Sequence, residues 1–209
     1  MDLLIVRHGV TRLNADRIFM GHDPVPLAPV GREQILRLGE RLARQPIVRI
    51  VASDIHRALE SAEILSEAVG LPIETNAALR EVHVGEAKGF GYEEAVRRWS
   101  EVFVPDGSGR FPGGESFADV ADRASTWLRE AVIADTPDRV LVVTHGGVVR
   151  GVGARLLGLS LRDIAPFTID NASLTILRVS GAAASCLTWN DTAHLDGLGT
   201  TGCWPDVGG

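Results

Sequence analysis

Two uninterrupted apolar runs constrain this chain most: Leu3-Leu4-Ile5-Val6 near its start and Val140-Leu141-Val142-Val143 in its second half. A strand that is apolar at every position, not at alternate ones, is covered on both faces, as in a parallel sheet with helices above and below. Between the two runs, Ile35, Leu38 and Leu42 share one face of a helix predicted over 31–44. Ile47 to Ala52 predicts a second strand, and Ser53-Asp54 an N-cap pair for the helix after it. That helix carries Ala58, Ala62, Leu65 and Val69 on its apolar side, and Gly70 and Pro72 end it. Ile73-Glu74-Thr75 reads as a short strand, and 92–103 and 116–134 read as helices. The Val140 run leads into Thr144-His145-Gly146-Gly147 and a helix to about Leu157. Leu174 to Val179 and Ser185 to Trp189, joined through Gly181, predict an antiparallel hairpin. The expected fold is therefore α/β: a three-layer α/β/α sandwich, its sheet mainly parallel with an antiparallel edge hairpin.

The 209 residues fit one domain, placed at 1–195, with a flexible tail of Gly and polar residues at 196–209. No apolar run approaches the roughly 18–20 residues that span a bilayer. The apolar stretch after Met1 has no basic flank and is too short for a signal peptide, so the expectation is cytoplasmic with no membrane partner. The two cysteines, Cys186 and Cys203, lack CxxC spacing, which argues against a thiolate metal site or a disulfide framework. A net charge of −6 argues against a nucleic-acid partner. Of 21 basic residues Lys88 is the one lysine; arginine is the side chain best suited to grip a phosphate with two parallel hydrogen bonds.

Ligands of parallel sheets bind beyond the carboxyl ends of the strands. There the chain places Arg7, His8, Gly9, Thr11 and Asn14 after one strand, Ser53 and Arg57 after another, and Thr144, His145 and Gly146 after a third. Glu81 follows Leu79 in a loop-like stretch. Displacement at a phosphoryl group depends mostly on positioning and on stabilising its peripheral oxygens. Two guanidiniums, two imidazoles and an amide supply that without a metal, and Glu81 supplies the proton a leaving alkoxide needs.

The stretches Arg7-His8-Gly9-Val10-Thr11 with Asn14, Ser53-Asp54-Ile55-His56-Arg57-Ala58, and Leu79-Arg80-Glu81 with Gly85 resemble the histidine phosphatase superfamily, also called phosphoglycerate-mutase-like. Pro112-Gly113-Gly114-Glu115-Ser116, Thr144-His145-Gly146-Gly147 and Asn190-Asp191-Thr192-Ala193-His194-Leu195 extend the likeness in order over residues 3–195. The resemblance implies that His8 attacks phosphorus and becomes phosphohistidine. Arg7, Arg57 and His145 would hold the phosphoryl oxygens, with Asn14 as a further donor. Glu81 would protonate the leaving oxygen and then deprotonate water. A neutral imidazole is a usable nucleophile, and its intermediate divides one displacement into two. Gly9 would let the backbone turn beside the phosphate. Gly21 and His22 lie in a loop that, by the same likeness, covers the substrate, and about 85–115 forms a substrate-covering insertion. His83, two residues after Glu81, would point the same way if the segment is extended. His194 would tie the C-terminal segment to the domain, and His56 is an ordinary helix residue.

Each of these residues has a plainer reading: Arg7 and His8 as a solvated strand end, Glu81 as a surface carboxylate, Thr11 and Asn14 as caps. A metal site would use the same histidines, but there is no HExxH, and arginines stand beside both. No metal and no cofactor are expected. Hydrolysis is preferred to mutase-type transfer because the covering segment is short and Val82 stands where mutases of this family carry a substrate-binding arginine. A non-catalytic binding module would lack catalytic positions that are filled here. The expected partner is a small phosphomonoester: a sugar or sugar-acid phosphate, phosphoserine or α-ribazole phosphate. Lys88 at the rim would favour acidic ones. A second copy of the chain, as a homodimer, is the one macromolecular partner left open.

Overall fold

The first apolar run becomes strand β1 (Asp2–Arg7), and every residue of it is buried. With β2 (Ile47–Ala52), β3 (Ile73–Thr75), β4 (Arg139–Thr144), β5 (Leu174–Ser180) and β6 (Ala183–Asp191) it forms one six-stranded sheet in the order β3-β2-β4-β1-β5-β6. The pairs β1–β4, β4–β2 and β2–β3 are parallel; β1–β5 and β5–β6 are antiparallel. This computed structural model describes residues 1–136 and 138–198.

Seven α-helices accompany the sheet: α1 (Arg12–Ala15), α2 (Pro29–Leu42), α3 (His56–Val69), α4 (Tyr92–Arg98), α5 (Phe117–Leu128), α6 (Gly146–Leu157) and α7 (Leu161–Ile164), counted among the described residues. Because strand side chains alternate, each apolar run feeds two cores at once. Leu4, Val6, Ile50, Ala52, Leu141 and Val143 pack with Ile35, Leu38 and Leu42 of α2 and Ala62 and Leu65 of α3. Leu3, Ile5, Val51, Val140 and Val142 face the other way, onto Val120, Ala124 and Leu128 of α5 and Val148 and Val152 of α6. Each Val, Leu or Ile among them contributes about 1.5–3 kcal/mol on burial, so β1 and β4 belong in the middle of the sheet. The sandwich is three layers deep, with the antiparallel hairpin at one edge, as the pattern predicted.

Two local expectations need correction, and a third gains detail. Ser53 and Asp54 do not cap α3; Ile55 stands at its N-cap without a side-chain bond. Tertiary partners take both polar groups instead: Ser53 Oγ meets His145, and the Asp54 carboxylate is forked by Arg80 at 2.7 and 2.5 Å. The helix expected over 92–103 ends at Arg98. Trp99 leaves the helical region (φ −130°, ψ 53°) and stacks its ring edgewise on Phe90, so only a single tighter turn follows over Ser100–Val102. The helix of 116–134 starts on a Ser116–Asp119 capping box and widens into a π turn over Arg129–Ile133.

The segment between Gly85 and Glu115 is fastened by aromatic contacts. Phe111 is fully buried against Phe19, Phe103 and Phe117, with ring centroids 5.7–5.9 Å away. The start of the expected tail is held down: Arg37 Nη1 donates to Asp196 O (2.8 Å), and Leu195 is buried. The rest of that expectation falls on 199–209, outside the described residues, as does Cys203. No helix among the described residues is long and apolar enough to cross a membrane.

Candidate active site

Strand register builds the centre of the site. Arg7 is paired with Thr144 and Ala52 with Val143, and the ladder runs one residue further: His8 N donates to Thr144 O and Ser53 N to Val143 O, both at 2.9 Å. The residues just past β2, β4 and β1 therefore stand in a row. His145 Nε2 lies 2.8 Å from Ser53 Oγ, and the His145 and His8 rings meet edge to face at 5.2 Å. All three side chains are buried. Arg57, in the first turn of α3, reaches into the same space and is 1% exposed.

Two hydrogen bonds assign the same tautomer to His8. Gly9 O, a pure acceptor, lies 2.7 Å from Nδ1, so Nδ1 carries the proton. Arg57 Nε, a pure donor, lies 3.1 Å from Nε2, so Nε2 presents its lone pair. Burial first, then the charges of Arg57 and Arg7, hold His8 well below the ordinary imidazole value of 6.5. His145 is lowered in the same way, by burial and then by Arg57. Arg57 is itself lowered to about 10 by burial, which leaves it charged at neutral pH. Its remaining donors rest on Gly21 O (2.9 Å) and Asp23 O (3.3 Å). Arg7 Nη1 is anchored on Ile169 O at 2.7 Å.

Glu81 is nearly buried and faces the same cavity. Its Oε1 accepts from its neighbour Val82 N (3.0 Å) and its Oε2 from Gly147 N (3.2 Å) in the first turn of α6, where backbone N–H groups are unpaired and the helix dipole is positive. A Cβ on residue 147 would stand 2.3 Å from Oε1, so glycine is what lets the carboxylate rest there. The backbone of Glu81 is held as well. Its carbonyl accepts from His22 Nε2 (2.7 Å) and Arg123 Nη2 (3.1 Å), and Arg123 also bonds Ala78 O, Arg80 O and the Glu115 carboxylate.

Arg7, His8, Asn14, Gly21, Arg57 and Glu81 from the expected set line one cavity together. Phe19, Met20, Val84 and Tyr92 complete its wall among the described residues. Asn14 Oδ1 accepts from Thr11 N (3.1 Å) and Thr11 Oγ1 (3.0 Å), so its Nδ2 is the end left to donate to a ligand. Thr11 is a buried cap beneath Asn14 and Gly146 opens α6; neither reaches the cavity wall. His22 and His83 do not reach it either. Their rings stack edgewise at 5.1 Å, and His83 is exposed with its backbone tied to Glu115. The segment does not alternate as a strand would, since Glu81, Val82 and Val84 are all buried. Gly9 serves a purpose other than the one expected: a Cβ there would stand 2.4 Å from Gly31 O, so it permits α2 to cross close over the loop. His194 does tie the C-terminal segment down, its Nε2 donating to Ala172 O at 3.0 Å. Lys88 is not among the residues that line the cavity, and its ammonium is on Asp23 Oδ1 at 3.2 Å.

Two participants carry no sequence signal. Asn171, fully buried just before β5, donates through Nδ2 to His8 O (3.0 Å) and contacts Gly9 O and Asn14 Oδ1 (both 3.4 Å). Arg123 looks like any arginine of an amphipathic helix, yet it fixes the Glu81 backbone. No group of three His, Cys, Asp or Glu side chains among the described residues is arranged to hold a metal ion.

A family model described as the histidine phosphatase superfamily (branch 1) matches residues 3–192. Among curated proteins, the phosphoglycerate mutase-like protein 4 of Arabidopsis thaliana is 35% identical over 206 residues, covering 95% of this chain and 88% of its own. The glucosyl-3-phosphoglycerate phosphatase of Mycolicibacterium vanbaalenii is 36% identical over 167 residues, 75% of this chain and 74% of that one. Among solved structures, Bacillus stearothermophilus YhfR matches with a TM-score of 0.85 at 31% identity, over 93% of this chain and 98% of that one. A mycobacterial glucosyl-3-phosphoglycerate phosphatase complexed with VO3 matches with a TM-score of 0.83 at 30% identity, over 90% and 98%.

Proposed function

The chain belongs to the histidine phosphatase superfamily, and on that footing we propose that it hydrolyses a small phosphomonoester through a phosphohistidine at His8. The observation that carries this reading is the pair of bonds at the His8 ring, which leaves Nε2 unprotonated and facing Arg57 at 3.1 Å. Before substrate arrives, Arg57 Nε–H caps the nucleophile's lone pair. A phosphoryl oxygen is a better acceptor for a guanidinium than a neutral imidazole, because the bond is then charge-assisted on both sides. Binding thus draws Arg57 onto the phosphoryl group and frees Nε2 to attack.

In the first step the Nε2–P bond forms and the P–O bond to the alcohol breaks, while Glu81 gives its proton to the leaving oxygen. In the second, water attacks phosphorus, Glu81 takes its proton, and inorganic phosphate leaves with His8 restored. Arg7, Arg57, His145 and Asn14 stabilise the peripheral oxygens in both transition states. No metal is assigned a part. Val82, buried in the core and not on the cavity wall, adds no positive charge that would retain an acidic alcohol for return transfer. The relatives' names span mutase-like and phosphatase proteins, and that feature favours hydrolysis.

The test is release of phosphate from a chromogenic aryl phosphate with and without a chelator, in wild type and His8→Ala. Activity should persist with chelator and fall about a thousandfold or more in the variant. Loss to the chelator would sink the metal-free mechanism. Isomerisation of 3-phosphoglycerate faster than its hydrolysis would establish the mutase reading instead.

A further inference from the structure

We infer that the alcohol half of the substrate is electrically neutral and presents an apolar face. The inference rests on the phosphatase reading and concerns the part of the same cavity beyond the phosphoryl group. The lining of that cavity is of two kinds. Arg7, His8, Asn14 and Arg57 supply its polar and cationic groups, and Arg57 touches His8. The rest of the wall is Phe19, Met20, Gly21, Glu81, Val84 and Tyr92, with the Phe19 and Tyr92 rings 4.6 Å apart, and no cation besides Arg7 and Arg57 lines it among the described residues.

Three cations of the surrounding segments already have carboxylate partners. Lys88 lies on Asp23 at 3.2 Å, Arg80 on Asp54 at 2.7 Å, and Arg123 on Glu115 at 2.9 Å. Arg17, whose backbone oxygen accepts from Tyr92 N, is exposed and does not line the cavity. A second anion on the substrate would therefore leave water without gaining a cation, and would face the one carboxylate that does line the cavity, Glu81. Burying an unmatched charge is costly, whereas apolar surface gains by contact with this wall. Electrostatics thus acts as a filter against acidic alcohols, including those bearing a carboxylate. On this reading Lys88 does not serve an acidic alcohol, since its ammonium already has the Asp23 carboxylate for a partner.

The experiment compares benzyl phosphate with its para-carboxylate, 4-(phosphonooxymethyl)benzoate. Both have the same scissile bond and nearly the same leaving alcohol, and only one carries the second charge. The kcat/KM for benzyl phosphate should exceed that for the carboxylate by about tenfold or more. Lys88→Ala should leave the ratio within about twofold, since an exposed pair contributes little, whereas Tyr92→Arg should narrow or invert it. Turnover of both esters with equal or better use of the carboxylate would overturn the inference and leave the phosphatase reading standing. A ratio that rises well beyond twofold in Lys88→Ala would show Lys88 serving the acidic ester, and would also overturn it. No turnover of either ester would overturn the phosphatase reading, and this inference with it.

Discussion

Ser53 Oγ accepts a hydrogen bond from Ile55 N at 3.3 Å and still has its own proton to place. Given to His145 Nε2, 2.8 Å away, that proton puts the imidazole N–H on Nδ1, a buried atom with no hydrogen-bond partner among the described residues. A donor without an acceptor in a buried site is expensive unless a ligand completes it, and a phosphoryl oxygen would do so. Ser53→Ala should lower kcat/KM about tenfold, the worth of one hydrogen bond near 1.4 kcal/mol, and shift His145 toward the other tautomer in nitrogen NMR. Unchanged kinetics and an unchanged tautomer would refute the assignment. Glu81 permits a sharper test, because proton donation matters only when the leaving group is poor. In Glu81→Gln, kcat/KM for an alkyl phosphate should fall about 10²–10³-fold and for p-nitrophenyl phosphate far less. Equal losses on both would argue against general acid catalysis. Gly147→Ala should reproduce the pattern in weaker form, since its methyl would overlap the resting carboxylate.

At the level of elements, the loop that carries Glu81 is held by parts distant in sequence. Arg123 of α5 bonds the carbonyls of Ala78, Arg80 and Glu81, and Glu115 joins Arg123 to His83 N. The Phe111 cluster fastens the 85–115 segment to Phe19, a wall residue of the cavity. Truncating Phe111 to alanine should cost about 3–5 kcal/mol, as for other fully buried aromatics. It should also raise KM for benzyl phosphate, because Phe19 loses its support. Denaturant unfolding and initial rates on the same protein check both halves, and a stability loss below about 1 kcal/mol would show that the cluster is not cooperative with the core. The same elements explain which local expectations failed. Periodicity placed the helices well, but the end of α4 and the fate of Ser53 and Asp54 depended on rings and guanidiniums far along the chain.

For the whole molecule, two buried neutral histidines couple the site to global stability. Their folded-state values lie below 6.5, so on acidification the unfolded chain takes up protons before the folded one does. Stability therefore falls as pH drops through about 6.5 toward 5, by up to about 1.4 kcal/mol per pH unit for each histidine. The ion-paired carboxylates, such as Asp2 and Asp54 whose Arg178 and Arg80 partners lower them, lose their contribution only nearer pH 4 and below. Urea unfolding at pH 7.5, 6.5 and 5.5 reads this directly; a flat profile over that range would contradict it. By the same lowering, His8 in the free enzyme stays unprotonated further into the acid range than an ordinary imidazole, so the acid limb of kcat/KM attributable to His8 should lie below 6.5.

The sequence by itself determined the strands that are apolar on both faces, the three-layer architecture and the residues that stand at the strand ends. Those properties are local: a run of four apolar residues and the polar residue after it can be read without knowing what lies beside them. Only the tertiary structure decided the strand order β2-β4-β1 and its register, which set Ser53, His145 and His8 side by side. It also recruited Asn171 and Arg123 and matched Lys88 to Asp23. Register, pairing and charge matching join groups tens of residues apart, and no pattern along the chain encodes them until burial of both sheet faces fixes where each strand lies.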